Sequence, residues 1–225
     1  MSPVERSLKL LRKQGYTVAT SVTTNSPPLP TGDTGTISVL NGWDFNTNSS
    51  SATTEGVNHY YFNVTNNWSG ARFTATVTLV WNRQLGETNL NDLDLYLYNC
   101  SSSNLVACST SCVDNVEQLW LPQLPSGRYD LQVFKHGGTN VVSDSETYSL
   151  AWAFVVPKLS LTRSGPDILL AWPVYPAGFA VEAATNLAPA SWLTLTNPAA
   201  SITNQQNRLL LNATNAGQLF RLRLP

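Results

Sequence analysis

Few side chains in this sequence could do chemistry, and they fall into three groups. Asp92 and Asp94 flank Leu93 in the run Asn91-Asp92-Leu93-Asp94-Leu95-Tyr96-Leu97-Tyr98, and Asp114, Asn115 and Glu117 stand together further on. Cys100, Cys108 and Cys112 lie between them, and the two histidines, His59 and His136, lie outside. Residues two apart on an extended chain point to the same side, which makes Asp92 and Asp94 neighbours on one strand face. Oxygen donors from a strand end and a nearby loop suit calcium, which takes about six to eight of them. We therefore expect Asp92, Asp94, Asp114, Asn115 and Glu117 to converge on a calcium ion. In the alternative they cap turns and hydrogen-bond backbone amides. Two carboxylates about 5 Å or more apart could also serve glycoside hydrolysis, but nothing in the flanking sequence marks a sugar cleft.

Three cysteines between positions 100 and 112 allow at most one local disulfide. Cys100 with Cys112, or Cys100 with Cys108, is expected ahead of Cys108 with Cys112, because the first two pairs would join adjacent strands of a hairpin. A structural zinc site takes about four ligands, and neither histidine sits at a ligand spacing from the cysteines, so none is expected there. His136 precedes Gly137-Gly138 and reads as a turn residue between strands. His59, before Tyr60-Tyr61, reads as a strand-entry residue. No serine nucleophile turn accompanies them, and no α/β pattern that could assemble a Ser-His-Asp triad.

The elements that must position these groups are β-strands. Leu93, Leu95 and Leu97 alternate with polar residues, and Phe73, Ala75, Val77, Leu79 and Trp81 share one face of another segment. Strands are expected at 38–40, 60–64, 72–81, 92–98, 105–109, 116–121, 127–134 and 146–155. Asn66-Asn67, the stretch 101–104, Pro125-Ser126-Gly127 and Gly137-Gly138 supply the turns. Pro157 closes this unit. A second set of short strands follows at 159–163, 168–172, 179–183, 192–196, 207–212 and 218–224. Only 5–14 has helical character, and 17–35 is a Thr/Ser/Pro/Gly linker. The fold class is thus all-β: an antiparallel jelly-roll-like β-sandwich over 36–156, followed by a smaller β-sandwich unit over 158–225, with 1–35 as helix-like segment and linker.

Composition narrows the function classes. The 225 residues are 42% hydrophobic but only 12% charged, with a net charge of −1. The charged share is about half that of an ordinary globular protein. No basic run offers a footprint for nucleic acid, and no apolar run approaches the roughly 20 residues of a membrane span. Trp81, Trp120 and Trp152 sit in apolar strand patterns and are expected in the core; Trp43, Trp68 and Trp192 lie near turns.

Several motifs recur in a telling order: Gly42-Trp43-Asp44-Phe45, Leu79-Val80-Trp81-Asn82-Arg83, Leu93-Asp94-Leu95-Tyr96-Leu97-Tyr98, Val113-Asp114-Asn115-Val116-Glu117, Leu124-Pro125-Ser126-Gly127-Arg128-Tyr129-Asp130 and Tyr148-Ser149-Leu150-Ala151-Trp152. Together, over 35–156, they resemble the C-terminal jelly-roll domain that follows the catalytic domain of secreted subtilisin-like (S8 family) serine peptidases. The last unit, through Leu170-Ala171-Trp172-Pro173 and Phe220-Arg221-Leu222-Arg223, resembles small β-domains at the C-termini of large secreted bacterial proteins. The resemblance implies a non-catalytic accessory region, secreted as part of a larger parent, that stabilises or positions a subtilisin-like catalytic domain in cis or holds its protein or polysaccharide substrate. It also implies calcium, which some such jelly rolls bind near this strand. The N-terminus lacks the apolar core of a signal peptide, and we expect the sequence to be a stretch of that larger protein. The alternative is a stand-alone carbohydrate- or surface-binding module.

Overall fold

A computed structural model describes residues 16–22, 28–30, 37–65, 72–138, 141–186, 188, 191–196, 198–212 and 217–223. Every regular element among them is a strand. In chain order the first ten are β1 (Tyr16–Val22), β2 (Ile37–Ser38), β3 (Asn41–Ser49), β4 (Glu55–Val64), β5 (Arg72–Trp81), β6 (Leu93–Asn99), β7 (Leu105–Ser109), β8 (Val116–Pro125), β9 (Gly127–Lys135) and β10 (Ser145–Val155). They form two sheets, β1-β4-β9-β6-β7 with β2 added in parallel to β4, and β3-β10-β5-β8. Numbered from β3 to β10, the eight main strands run 1-8-3-6 in one sheet and 2-7-4-5 in the other. That interleaving is a jelly roll.

Alternation drives the packing. On β5 the side chains of Phe73, Ala75, Val77, Leu79 and Trp81 are buried between the sheets. Leu93, Leu95 and Leu97 of β6, and Leu131 and Val133 of β9, meet them from the facing sheet. Phe62 and Trp152 sit edge to face at 5.6 Å, and Phe62 and Phe154 lie tilted at 4.6 Å, spacings at which aromatic pairs attract. Trp120 departs from the expected pattern. Leu119 points inward, so its neighbour Trp120 points outward and is 57% exposed.

Two of these first ten strands were not anticipated. Tyr16–Val22, expected as linker, forms β1 and pairs antiparallel with β4. The helix-like segment 5–14 lies outside the described residues. The other is β3, whose inward positions, Asp44 and Asn48, are polar. Tyr60 Oη donates to Asp44 Oδ2 at 2.9 Å and contacts Tyr148 Oη at 2.7 Å; Asn58 Nδ2 donates to Tyr148 Oη at 2.7 Å. This buried network ties β3, β4 and β10 together. Burial and the Tyr148 hydroxyl push the Tyr60 phenol far above its ordinary range, so it remains a donor at every pH the fold meets.

The C-terminal unit has its own two sheets. β11 (Ser160–Ser164), β12 (Asp167–Pro173), β15 (Ser201–Thr203) and β16 (Gln206–Asn212) run β11-β12-β16-β15. β13 (Ala180–Ala184), β14 (Leu193–Thr194) and β17 (Leu219–Arg223) run β14-β13-β17. Leu170, Trp172, Val181 and Leu209 form a separate small core. Among the described residues no strand pairing crosses Pro157. The two units touch where Gln123 Nε2 donates to the Ala177 carbonyl at 2.8 Å and Trp120 meets Tyr175 edge to face at 5.2 Å.

So small a core makes one ion cluster consequential. Glu182 on β13 is buried, and its two oxygens take Arg221 at 2.6 Å and Arg223 at 2.9 Å. Arg221 also stacks over the Trp192 ring at 4.2 Å. The hydrogen bond from Arg223, and then that from Arg221, hold the Glu182 carboxyl below its ordinary value of 4.5. A carboxyl depressed on folding adds stability above its unfolded pKa and loses it as pH falls through the folded one. The C-terminal unit is therefore expected to weaken as pH drops below about 4.5. Glu182→Gln should lower its stability at neutral pH and flatten that acid limb, read from the emission of Trp172 and Trp192 on a Trp-trimmed background. An acid limb unchanged by the substitution would refute the assignment.

Candidate functional site

The side chains singled out by sequence do not form one site. Asp94 lies on the outer face of β6, opposite Leu93 and Leu95, which point into the core. Glu117 points inward from β8, in the other sheet, and is buried. Its carboxylate accepts the Ser109 hydroxyl, and its Oε1 accepts the Ser111 amide at 2.7 Å. Asp114 Oδ2 accepts the Ser111 hydroxyl at 3.0 Å, and Asn115 Nδ2 donates to the Trp81 carbonyl at 2.7 Å. Asp114, Asn115 and Glu117 thus fasten their own loop and strand. The expected five-residue calcium set is not brought together, because its two halves belong to different sheets and opposite faces.

The cysteines are also dispersed, and all three are thiols. Cys108 on β7 lies beside Tyr96, whereas Cys100 follows Asn99 at the far end of β6. Four residues of strand separate the two levels, about 13 Å at 3.3 Å per residue. A disulfide needs Cα atoms within about 7 Å. Cys112, beyond the end of β7, is further still. Neither expected Cys100 pairing fits this register. Cys100 is buried, and Cys108 and Cys112 are exposed.

What the fold does assemble lies on the outer face of the first sheet, where residues one strand apart are matched by register. Gly56 of β4 pairs with Lys135 of β9, and Lys135 pairs with Leu93 of β6. One step on, Glu55, His136 and Asp92 therefore form a row across three strands, and the His136 amide donates to the Asp92 carbonyl at 3.0 Å. The His136 imidazole Nε2 lies 2.8 Å from Asp94 Oδ2 and 3.9 Å from Asp92 Oδ2. Tyr96 Oη donates to the same Asp94 oxygen at 2.9 Å. One donor atom each from Asp92, Asp94 and His136 falls within 4.8 Å of the others. Phe134 packs edge to face on the imidazole at 4.9 Å.

Electrostatics within this cluster favour a resident positive charge. The hydrogen bond to Asp94 lifts the His136 pKa against the opposing effect of burial. Burial raises Asp92, against the pull of His136, with Asp94 and Glu117 pushing the same way. The nearby Lys135 is fully buried but faces the other way, donating to Ser50 Oγ at 2.7 Å and to the Ser143 carbonyl at 2.9 Å.

Gly137 fixes the loop that carries His136. A Cβ there would stand in van der Waals overlap with the Thr54 carbonyl oxygen and 2.6 Å from that of Ser51. Only glycine lets the 51–54 loop close so tightly, and that loop leads directly into Glu55. Neither Glu55 nor the role of His136 was anticipated from sequence. The strand was expected to begin at Tyr60, and His136 was read as a turn residue. The available signal was the period of β9, which puts Asp130, Gln132, Phe134 and His136 on one face.

Further along that face His59 Nδ1 and Asp130 Oδ2 pair at 2.9 Å, with both side chains buried. Gln132 Nε2 donates to Asp130 Oδ2 at 2.8 Å and to the Pro28 carbonyl at 2.7 Å. His59 stacks on Tyr61 at 5.9 Å, and burial, with Asp130 beside it, pushes the Tyr61 phenol up to about 12. Both members of this imidazole–carboxylate pair are buried, and Gln132 links Asp130 to the Pro28 carbonyl.

No family model and no curated protein matches the sequence. Among solved structures, the enzymatically active domain of bacteriophage CBA120 tailspike protein 4 aligns at 9% identity with a TM-score of 0.32, covering 62% of this chain and 18% of that one. A β-1,2-glucanase from Parabacteroides distasonis aligns at 10% identity with a TM-score of 0.31, covering 94% of this chain and 35% of that one. The chain therefore spans well under two thirds of either structure, and similarity at this level carries no functional argument.

Proposed function

We propose that this chain is a non-catalytic accessory region of a secreted subtilisin-like serine peptidase, which stabilises or positions the catalytic domain or holds its substrate. One observation carries the reading: the motifs that resemble those jelly rolls fall in order on a single sandwich. Gly42–Phe45 lies on β3, Leu79–Trp81 closes β5, Leu93–Tyr98 makes β6, Val113–Glu117 enters β8, Arg128–Asp130 opens β9 and Tyr148–Trp152 fills β10. The burial of the His59–Asp130 pair supports a structural role for that imidazole–carboxylate pair.

A second reading is favoured by the outer face of the β3-β10-β5-β8 sheet. Phe45, Ser149, Val80 and Val116 form one row across it, and Trp43, Ala151, Thr78 and Gln118 the next. From Thr74 to Val80 and along β10 this face carries Thr, Ser, Ala and Val, without charge. Exposed Phe45 stands at one edge and exposed Trp120 at the other. Aromatic rims around a neutral trough suit stacking on an uncharged polysaccharide.

One preparation tests both. The purified chain, incubated with unfolded casein, is expected to release no peptides. Turnover abolished by a serine-directed inhibitor would overturn the first reading. Retardation in native gels by a neutral polysaccharide, relieved by Trp120→Ala, would move the assignment to the second.

A further inference from the structure

We propose that Glu55, Asp92, Asp94 and His136 form a binding site for one divalent transition ion of the zinc class at the end of the outer face of the β4-β9-β6 strands. The site stands apart from the accessory-region reading and does not depend on it. Three of the four side chains already place a donor atom within 4.8 Å of one another. The second observation is Glu55. It is 9% exposed, lies in the same row as His136 and Asp92, and its Oε2 is buried with no hydrogen-bond partner. Asp92 Oδ1 is buried and unpartnered as well. Polar atoms removed from water are normally satisfied, so two unpartnered carboxylate oxygens in one row with an imidazole mark a place suited to a cation.

The donor chemistry selects the ion. Calcium takes about six to eight oxygens and has little use for an imidazole. Imidazole with carboxylates suits zinc and its first-row neighbours. Around tetrahedral zinc, with bonds near 2.0–2.1 Å, neighbouring donor atoms stand about 3.3 Å apart. The His136–Asp94 and His136–Asp92 separations, 2.8 and 3.9 Å, straddle that spacing, so small rotations of the two carboxylates would admit the ion. On binding, His136 Nε2 exchanges its contact with Asp94 for a bond to the metal and releases any proton it carries. Tyr96 Oη, already on Asp94 Oδ2, would hold that carboxylate in orientation from outside the metal's first ring of ligands. The three carboxylates outnumber the one imidazole, and Lys135 faces the interior, so the excess negative charge favours a divalent ion over a proton alone.

The test uses the full chain with Cys108→Ser and Cys112→Ser, so that the exposed thiols contribute no zinc affinity. After chelator treatment, Zn2+ titrated by calorimetry should bind at one equivalent and raise the thermal midpoint by several degrees; Ca2+ should bind at least tenfold more weakly. Glu55→Gln and His136→Gln should each weaken Zn2+ at least tenfold, whereas Asp114→Asn and Asp167→Asn should leave it unchanged. Because His136→Gln could disturb the fold, near-ultraviolet circular dichroism accompanies each variant. Co2+ provides a second readout: its visible absorption should vanish in Glu55→Gln while the dichroism persists. Failure of Zn2+ to bind at one equivalent, Ca2+ binding as tightly as Zn2+, or full affinity in Glu55→Gln would each overturn the proposal.

Discussion

Trp152→Ala is expected to cost about 3–5 kcal/mol, a large share of a total stability in the usual range of about 5–15 kcal/mol. Trp152 is 4% exposed, lies 5.7 Å from the Tyr60 ring and 5.6 Å from that of Phe62, and belongs to both the apolar core and the edge of the Asp44 network. Its indole fills the space that a side chain at position 42 would otherwise use: a Cβ on Gly42 would stand 2.9 Å from the ring. Truncation therefore opens a cavity whose wall includes glycine backbone, which cannot swing in to fill it. The Nε1 bond to the Val39 carbonyl, 2.8 Å long, is lost as well, adding about 1 kcal/mol. Trp152→Phe keeps part of the volume but not that bond, and should fall between alanine and wild type. Urea unfolding measures both variants; a shift in midpoint without a change in slope identifies a native-state loss. A loss below about 1 kcal/mol for alanine would show that the sheets collapse onto the cavity, contrary to the packing described.

Period-two alternation made the apolar faces of β5, β6, β9 and β10 readable, and with them the sandwich, since nothing but core demands Leu at 93, 95 and 97. It failed at β3 for a physical reason. The inward positions of β3 are Asp44 and Asn48, satisfied by hydrogen bonds, so the segment looks like turn composition. It missed β1 because an edge strand beside β4 needs only backbone pairing, which Thr and Ala supply without a pattern. The outward placement of Asp92 and Asp94 was legible from the same alternation. Their partners were not, because partnership depends on which strands become neighbours. In a jelly roll β6 lies next to β9, not β8, so the carboxylates near in sequence, Asp114 and Glu117, went to the other sheet. His136 and Glu55, remote in sequence, arrived by register. The cysteine expectation failed by the same measure: β6 and β7 are adjacent as foreseen, but the thiols stand at different levels of the ladder.

Among the described glycines, Gly56→Ala should be the most damaging methyl addition, at about 3 kcal/mol or more. A Cβ at position 56 would overlap both the carbonyl oxygen of Ser49 and Oδ1 of Asn48. Asn48 cannot swing clear without loss, because its Nδ2 donates to the Gly56 carbonyl at 3.1 Å and to the Val133 carbonyl at 2.7 Å, joining β3 to two strands of the facing sheet. Ser49 cannot move alone either: it is backbone at the end of β3 and pairs with Ser145. The methyl must therefore separate β3 from β4, or displace β4 from its register with Lys135 of β9. Either movement carries the adjacent Glu55 away from His136, so the variant should lose stability and Zn2+ affinity together. The two losses have different controls. Glu55→Gln should reduce Zn2+ binding with little effect in metal-free urea unfolding, whereas Gly56→Ala should lower the metal-free midpoint itself. If Gly56→Ala unfolds within about 1 kcal/mol of wild type, the close approach of β3 and β4 at Ser49 is not what glycine is there to permit.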